Sequence, residues 1–427
     1  MLEDINTCYN GTNDETGWRS VKTFYEEESR GNLEVSATVT DWFSEETPCT
    51  LSGSDSNEVY KVARRALAWA KAKYSYLDWT QFDTDSNGTL DAVHYVFGAP
   101  HYGGTNSKEN PQLWAAVWTA TKLNLSVEDP ELCRFAWIPY DEMYPSGEAA
   151  LKHTGRASNG SGPSYCEIDA HTFCHETGHT FGLADLYDTN LLYNATGGMN
   201  MQSYDVGWHD PYSLMALNWI QPYIPTETVT LTLRPYAETG DTVLLTPSWN
   251  DIDSPFDEYV TVSYYTPTGT NYEDTMISGS WCKESGAIVY HVDARLLKGK
   301  NKSSVNADSM SVEPLCTGTD KVMFAFSNTY YKDDATSGPT LGMDYALYKK
   351  VFMVRNDPSG VIKTNNYLRA SDLFDIGDTF DMNTYATQFP VNGKLDSGLD
   401  LGWTFTVDEM TPEGITITFT KVAPSIE

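Results

Sequence analysis

The alternation of apolar and polar positions changes character near the middle of the chain. Leu33 to Phe43 opens with strict alternation (Leu-Glu-Val-Ser-Ala-Thr-Val-Thr), which predicts a half-exposed strand. Behind Ser56, a residue type that caps helices, Val59, Val62, Ala63, Ala66, Leu67 and Ala70 recur at helical spacing and predict a helix. Val93–Phe97 and Leu113–Trp118 are short apolar runs of strand composition. A Gly/Ser-rich loop over Gly155–Ser164 leads to a helix expected to start at Glu167 or Asp169. A last helix is expected over Pro211–Trp219, closed by Pro222. After Pro225 the pattern is different. Runs such as Thr-Val-Thr-Leu-Thr-Leu from Thr228, Tyr-Val-Thr-Val-Ser-Tyr-Tyr from Tyr259, Ala-Ile-Val-Tyr-His-Val from Ala287 and Gly-Ile-Thr-Ile-Thr-Phe from Gly414 read as strands. Gly, Pro, Asn and Asp turns separate them, with no helical period between, as in an all-β domain of the sandwich kind. The predicted fold class is α+β, with a boundary near Tyr223 dividing residues 1–222 from 223–427.

Composition narrows the partners. A chain of 427 residues with 40% hydrophobic and 13% aromatic content is long and apolar enough for two packed domains. No run of about 18 apolar residues is present, so no membrane span is expected. The excess of 59 acidic over 28 basic residues gives −31 at pH 7, which repels nucleic acid and anionic lipid. Such acidity also suits an extracellular protein, where Ca²⁺ fills weak carboxylate sites. The first residues, Met-Leu-Glu-Asp-Ile-Asn, are not a secretory signal segment. The seven cysteines (Cys8, Cys49, Cys133, Cys166, Cys174, Cys282 and Cys316) include no CxxC pair, which excludes a cysteine zinc ribbon and a thioredoxin-type motif.

One segment carries chemistry. His175-Glu176-Thr177-Gly178-His179, continued to Asp185, reads HExxHxxGxxD. Residues four apart share a helix face, so His175 and His179 present their imidazoles to one point, the arrangement that holds Zn²⁺. Glu176 is placed to take a proton from a water that the metal acidifies. Gly182 is expected to stop the helix in the left-handed conformation, and the turn brings Asp185 back as third ligand. Asp188, Asp205 and His209 are alternatives for that third position. His171 reads as a solvated first-turn residue. His94, His101, His153 and His291 have no partner spacing and read as structural.

Two further patterns follow from spacing. Asp83, Asp85, Asn87 and Asp91, with the Thr89 carbonyl and Gly88 at the turn, match the first nine positions of an EF-hand-like Ca²⁺ loop; position twelve is His94 in place of Glu. Downstream of the zinc motif, Gly197-Gly198-Met199-Asn200-Met201-Gln202-Ser203-Tyr204 fits a metzincin Met-turn loosely, with Met201 as its Met and Tyr204 as an oxyanion donor.

The stretch His175 to Asp188, the Gly197–Gly207 turn and Tyr212-Ser-Leu-Met-Ala-Leu-Asn-Trp-Ile together resemble the immune inhibitor A-like secreted metallopeptidases, in which HExxHxxGLPDxYD precedes a Gly-Gly turn and a helix. Softer likeness extends to Asn10-Gly-Thr, Gly17-Trp-Arg-Ser-Val, Asp41-Trp, Phe256-Asp-Glu-Tyr, Pro267-Thr-Gly and Tyr290-His-Val-Asp-Ala-Arg-Leu. Ala184 stands where that family has Pro, and the chain is expected to start after the family's first core strand. The resemblance implies a secreted zinc endopeptidase acting on proteins or peptides: a metzincin-like catalytic domain over 1–222 and a β-sandwich or jelly-roll-like domain over 223–427. The alternative is an extracellular binding or adhesion module with an idle zinc site.

Overall fold

The computed structural model of the chain describes residues 1–44, 56–99, 114–119, 125–155, 162–188, 194–247, 254–279, 281–298, 322–324, 328, 348–360 and 366–422. It is a mixed α+β protein with two compact units. The first draws mainly on residues 1–26 and 34–183, the second on 27–33 and the chain after Leu183. The compositional change near Tyr223 falls inside the second unit. Among the described residues no helix is long and apolar enough to cross a membrane.

In the first unit, helices α1 (Leu2–Asn10) and α2 (Ser56–Lys73) precede a three-stranded sheet. Its strands are β1 (Val93–Phe97), β2 (Ala116–Thr119) and β3 (Arg134–Pro139), with β3 central, parallel to β1 and antiparallel to β2. The helical period of α2 has a direct consequence: Val59 and Ala63 pack with Phe135 and Trp137 of β3, and Tyr95 donates to the Ala63 carbonyl at 2.8 Å. Phe135 and Trp137 thus face α2. Helix α3 (His171–Thr180) also lies against β3.

The alternation over Leu33–Phe43 produces no strand. Leu33, Val35, Ala37 and Val39 are half-buried and the polar positions mostly exposed, as the pattern demands, but no ladder partner lies beside the segment among the described residues. A side-chain amide takes the ladder's place: Asn10 Oδ1 accepts the Ala37 N–H at 2.8 Å and Asn10 Nδ2 donates to the Ala37 carbonyl at 3.0 Å. A backbone that must satisfy its polar groups can do so through an amide as well as through a strand.

The second unit opens with short helices α4 (Met201–Tyr204) and α5 (Pro211–Ala216). Asp210 caps α5 by accepting the Ser213 N–H at 3.1 Å, and Pro211 occupies the first turn. The helix stops well before Pro222 because Asn218 is left-handed (φ 57°) and the Trp219 N–H bonds back to the Leu214 carbonyl at 2.9 Å.

Two antiparallel four-stranded sheets follow. The first contains β5 (Thr242–Leu245), β6 (Glu258–Tyr265), β7 (Gly286–Asp293) and β8 (Val351–Val354), in the order β8-β7-β6-β5. The second contains β4 (Val229–Leu233), β9 (Thr379–Phe380), β10 (Trp403–Thr411) and β11 (Gly414–Lys421), in the order β9-β10-β11-β4. Alternation explains the second sheet. Leu233, Phe405, Val407, Ile415, Ile417 and Phe419 point into an apolar cluster, while Thr230 and Thr232 pair outside with Thr418 and Thr416 at 2.7 and 3.0 Å. The same cluster takes Val260, Val262, Ala287 and Val289 from β6 and β7, so both sheets share one core. The opposite face of β6 and β7, with Tyr259, Tyr265, Ile288, Tyr290 and Val292, enters a second cluster. Burial on both faces is why apolar residues follow one another along these two strands without strict alternation.

Cys133 is disulfide-bonded; Cys8, Cys166, Cys174 and Cys282 are buried thiols, and Cys49 and Cys316 lie outside the described residues, as does His101.

In the first unit, the Tyr9 hydroxyl is hydrogen-bonded with His94 Nδ1 at 2.6 Å. Burial lowers His94 to about 4, and burial, ahead of neighbouring acidic groups, raises Tyr9 well above its ordinary value. The folded chain therefore keeps His94 neutral where the unfolded chain, near 6.5, takes a proton. Stability is whole above pH 6.5 and falls as pH drops toward about 4, by on the order of 1–3 kcal/mol across that window. Thermal melting between pH 7.5 and 5 should show a flatter profile for His94→Gln than for the wild type; parallel profiles contradict this.

Candidate metal centre

Helix α3 begins without a side-chain cap on its first turn. Asp169 substitutes: its carboxylate accepts the His171 N–H at 3.0 Å and lies 2.6 Å from His171 Nδ1. His171 is stacked on Trp18 with ring centroids 3.6 Å apart and is buried, so the expectation of a solvated first-turn residue is overturned. The Trp18 stack explains it, since an imidazole buries well when its nitrogen is engaged and its face is covered. Other aromatic residues hold the middle of the helix. Tyr25 donates to the Cys174 carbonyl at 2.6 Å, Tyr9 meets Phe173 edge-on, and Tyr25 meets Phe181 likewise.

On this buried helix, His175 and His179 stand one turn apart, with ring centroids 4.6 Å apart and planes at 90°. Glu176, the next residue round, is 4% exposed. The helix ends in a Schellman turn. The Leu183 N–H bonds to the Gly178 carbonyl at 3.0 Å and the Gly182 N–H to the His179 carbonyl at 3.0 Å, with Gly182 left-handed at φ +96°.

That turn sets the chemistry of His179. It directs the Leu183 carbonyl back onto His179 Nδ1 at 2.8 Å. A carbonyl only accepts, so Nδ1 carries the proton and Nε2 is left with its lone pair, the state a metal ligand needs. Arg134 of β3 closes the same end by donating to the His179 carbonyl at 2.9 Å. A cation there is favourable because the carbonyl end of a helix carries partial negative charge. Burial lowers the Arg134 pKa from its ordinary value.

Two residues beyond the turn comes Asp185. His175, His179 and Asp185 each offer a ligand atom, and these atoms lie within 4.8 Å of one another. Tetrahedral ligands at about 2.0–2.2 Å from Zn²⁺ stand roughly 3.3–3.6 Å apart, so small side-chain rotations close the site. Two imidazoles and a carboxylate are a zinc donor set. Among the described residues, no group that includes both histidines contains Asp188, Asp205 or His209. His209 is fully buried, with Nδ1 3.4 Å from Glu28 and Nε2 3.2 Å from the Gln202 side-chain oxygen.

The Gly-Gly turn is built for packing. Gly197 and Gly198 are left-handed, and a Cβ on Gly198 would meet Tyr367 at 2.9 Å. Asn200 caps α4, and the Met201 N–H bonds to the Trp208 carbonyl at 2.7 Å with its side chain fully buried. Tyr204, on the same turn, lies edge-on to Tyr367 at 5.4 Å. Burial, then its hydrogen bond with Tyr367, pushes Tyr204 up to about 12.

Ligand atoms of Asp83, Asp85 and Asp91 also lie within 4.8 Å of one another. Asp83 accepts the Asn87 and Gly88 N–H groups, each at 2.9 Å, Asn87 accepts the Thr89 N–H at 2.8 Å, and Asp91 accepts the Thr84 N–H at 2.7 Å. His94, in the twelfth position, is committed to Tyr9 instead.

Sequence reasoning missed Arg134 and the Leu183 carbonyl. Arg134 lies 45 residues from its partner in the chain, and a carbonyl has no letter of its own.

No protein-family model matches this chain, and a search of curated proteins finds no match.

The Schellman turn gives a direct test. Gly182 and Gly155, the latter closing a helix over Gly147–Thr154, both have positive φ, and neither would bring a Cβ into a clash. Gly182→Ala and Gly155→Ala should each cost about 1–2 kcal/mol of stability. Only Gly182→Ala should also weaken zinc binding, by about tenfold or more in a competition titration, because it displaces the Leu183 carbonyl. Equal zinc affinity in the two variants contradicts the assignment.

Proposed function

We propose that this chain is a secreted zinc-dependent endopeptidase of the immune inhibitor A-like kind. On this reading residues 1–222 form a metzincin-like catalytic domain and residues 223–427 a β-sandwich, jelly-roll-like accessory domain. The observation that carries the proposal is the convergence of His175, His179 and Asp185, with His179 held in the metal-binding tautomer and Glu176 beside them on the helix. The core shared by the two four-stranded sheets supports the sandwich reading.

Zinc, when bound, would polarise a substrate carbonyl and lower the pKa of a water to about 7. The chain supplies the rest. His175, His179 and Asp185 hold the ion. The Glu176 carboxylate receives the proton of the attacking water and passes it to the leaving amine. Tyr204 stays protonated at neutral pH, since its phenol titrates at about 12, and so can donate to a developing oxyanion. Met201 takes the Met-turn position by resemblance. Asp83, Asp85, Asn87, Thr89 and Asp91 are the residues for a Ca²⁺ ion that braces the loop before β1. The disulfide at Cys133 and the acidic surface both favour an extracellular setting.

The test is a matched pair of proteins. Glu176→Ala should retain zinc by elemental analysis and lose at least a hundredfold in casein cleavage. Undiminished cleavage by the variant rejects the proposal. Zinc-loaded wild type that cleaves no unfolded protein rejects it too and favours the binding module.

A further inference from the structure

The core shared by the two sheets is apolar except at one end. Glu258 opens β6, and His291 and Asp293 close β7; Val260 is paired with His291 and Glu258 with Asp293. Strand parity puts all three charged residues on the face of Val260, Val262, Ala287 and Val289. Each is at most 5% exposed. Two carboxylates directly opposite across a ladder repel unless a cation lies between them. Arg295 answers part of this by gripping Asp293 with two nitrogens at 2.8 and 2.6 Å, its nearer nitrogen to Glu258 being 3.8 Å away.

A third carboxylate joins them. Asp396 belongs to the turn before β10, whose flanking Leu395 and Leu401 are part of the apolar core. Glu258 ties that turn down by accepting the Ser397 N–H at 2.9 Å and the Asp396 N–H. Yet both carboxylate oxygens of Asp396 are buried and accept no hydrogen bond, with the residue 8% exposed. Buried carboxylates are paired, hydrogen-bonded or bound to metal. This one lacks the second.

We propose that Glu258, His291 and Asp396 form a second metal site, within the β-rich unit, for a divalent transition-metal ion of the zinc class. One ligand atom from each lies within 4.8 Å of the other two. His291 Nε2 and Glu258 Oε1 stand 3.0 Å apart, slightly closer than the roughly 3.3–3.6 Å of two tetrahedral ligands on one ion, so a small side-chain rotation opens them to it. One imidazole with two carboxylates is a borderline nitrogen–oxygen set that suits zinc, whereas Ca²⁺ takes oxygen alone. Charge also balances: a divalent ion with Arg295 offsets Glu258, Asp293 and Asp396, leaving the imidazole neutral as a ligand must be. Asp293, held by Arg295, is a positioning residue. The ion would cross-link the ends of β6 and β7 to the turn that feeds β10. The site uses none of the residues of the proposed peptidase centre, so the two stand or fall separately.

Crystals of the full wild-type chain grown with zinc chloride decide the matter through anomalous difference maps at the zinc edge. A peak within bonding distance of Glu258, His291 and Asp396 is expected; its absence there overturns the proposal, whatever is found at His175 and His179. In solution, a His175→Ala/His179→Ala double variant should retain one zinc per chain by elemental analysis, and adding Asp396→Asn should remove it. No zinc in the double variant, or zinc that survives the third substitution in a folded chain, contradicts the assignment. Should the triple variant fail to fold, the wild-type map still gives the answer.

Discussion

The candidate centre depends on one hydrogen bond, from His179 Nδ1 to the Leu183 carbonyl. A free imidazole exchanges its proton between two nitrogens, and only one tautomer exposes Nε2 to a metal. The bond fixes that choice before any ion arrives. It exists because Gly182 adopts a conformation that a Cβ would strain, and because the Schellman turn then aims Leu183 back at the helix. Arg134 holds the same turn from the sheet. The order of dependence is backbone conformation, carbonyl direction, tautomer, ligand.

The helix beneath must be rigid for this to matter. Ten residues with no side-chain cap would be marginal alone in water. Tertiary contacts supply the stability instead: Tyr25 on the Cys174 carbonyl, Tyr9 on Phe173, Trp18 on His171 and Asp169 on the first turn. The sheets of the second unit show the same economy on a larger scale, with β6 and β7 apolar on both faces and charge admitted at one end.

Local rules made much of this legible in the sequence. The i, i+4 histidines, the helix-ending Gly182 and the alternation of β4 and β11 each depend on neighbours a few residues away, and each appears where spacing places it. The period of α2 was legible for the same reason. What failed was non-local. Alternation at Leu33–Phe43 says which side chains are buried but cannot supply a partner strand. His171 was misread because Trp18, its stacking partner, lies far off in the chain. His291 has no nearby ligand in sequence, since Glu258 and Asp396 are brought to it only by sheet register and a distant turn.

The most direct test of the preset centre is the tautomer of His179 in metal-free protein. Long-range ¹⁵N–¹H correlation spectra of histidine-labelled chain at neutral pH, assigned with His179→Gln, report which ring nitrogen carries the proton. A protonated Nδ1 and a bare Nε2 are expected before zinc is added. A proton on Nε2, or rapid exchange between the two forms, would contradict this.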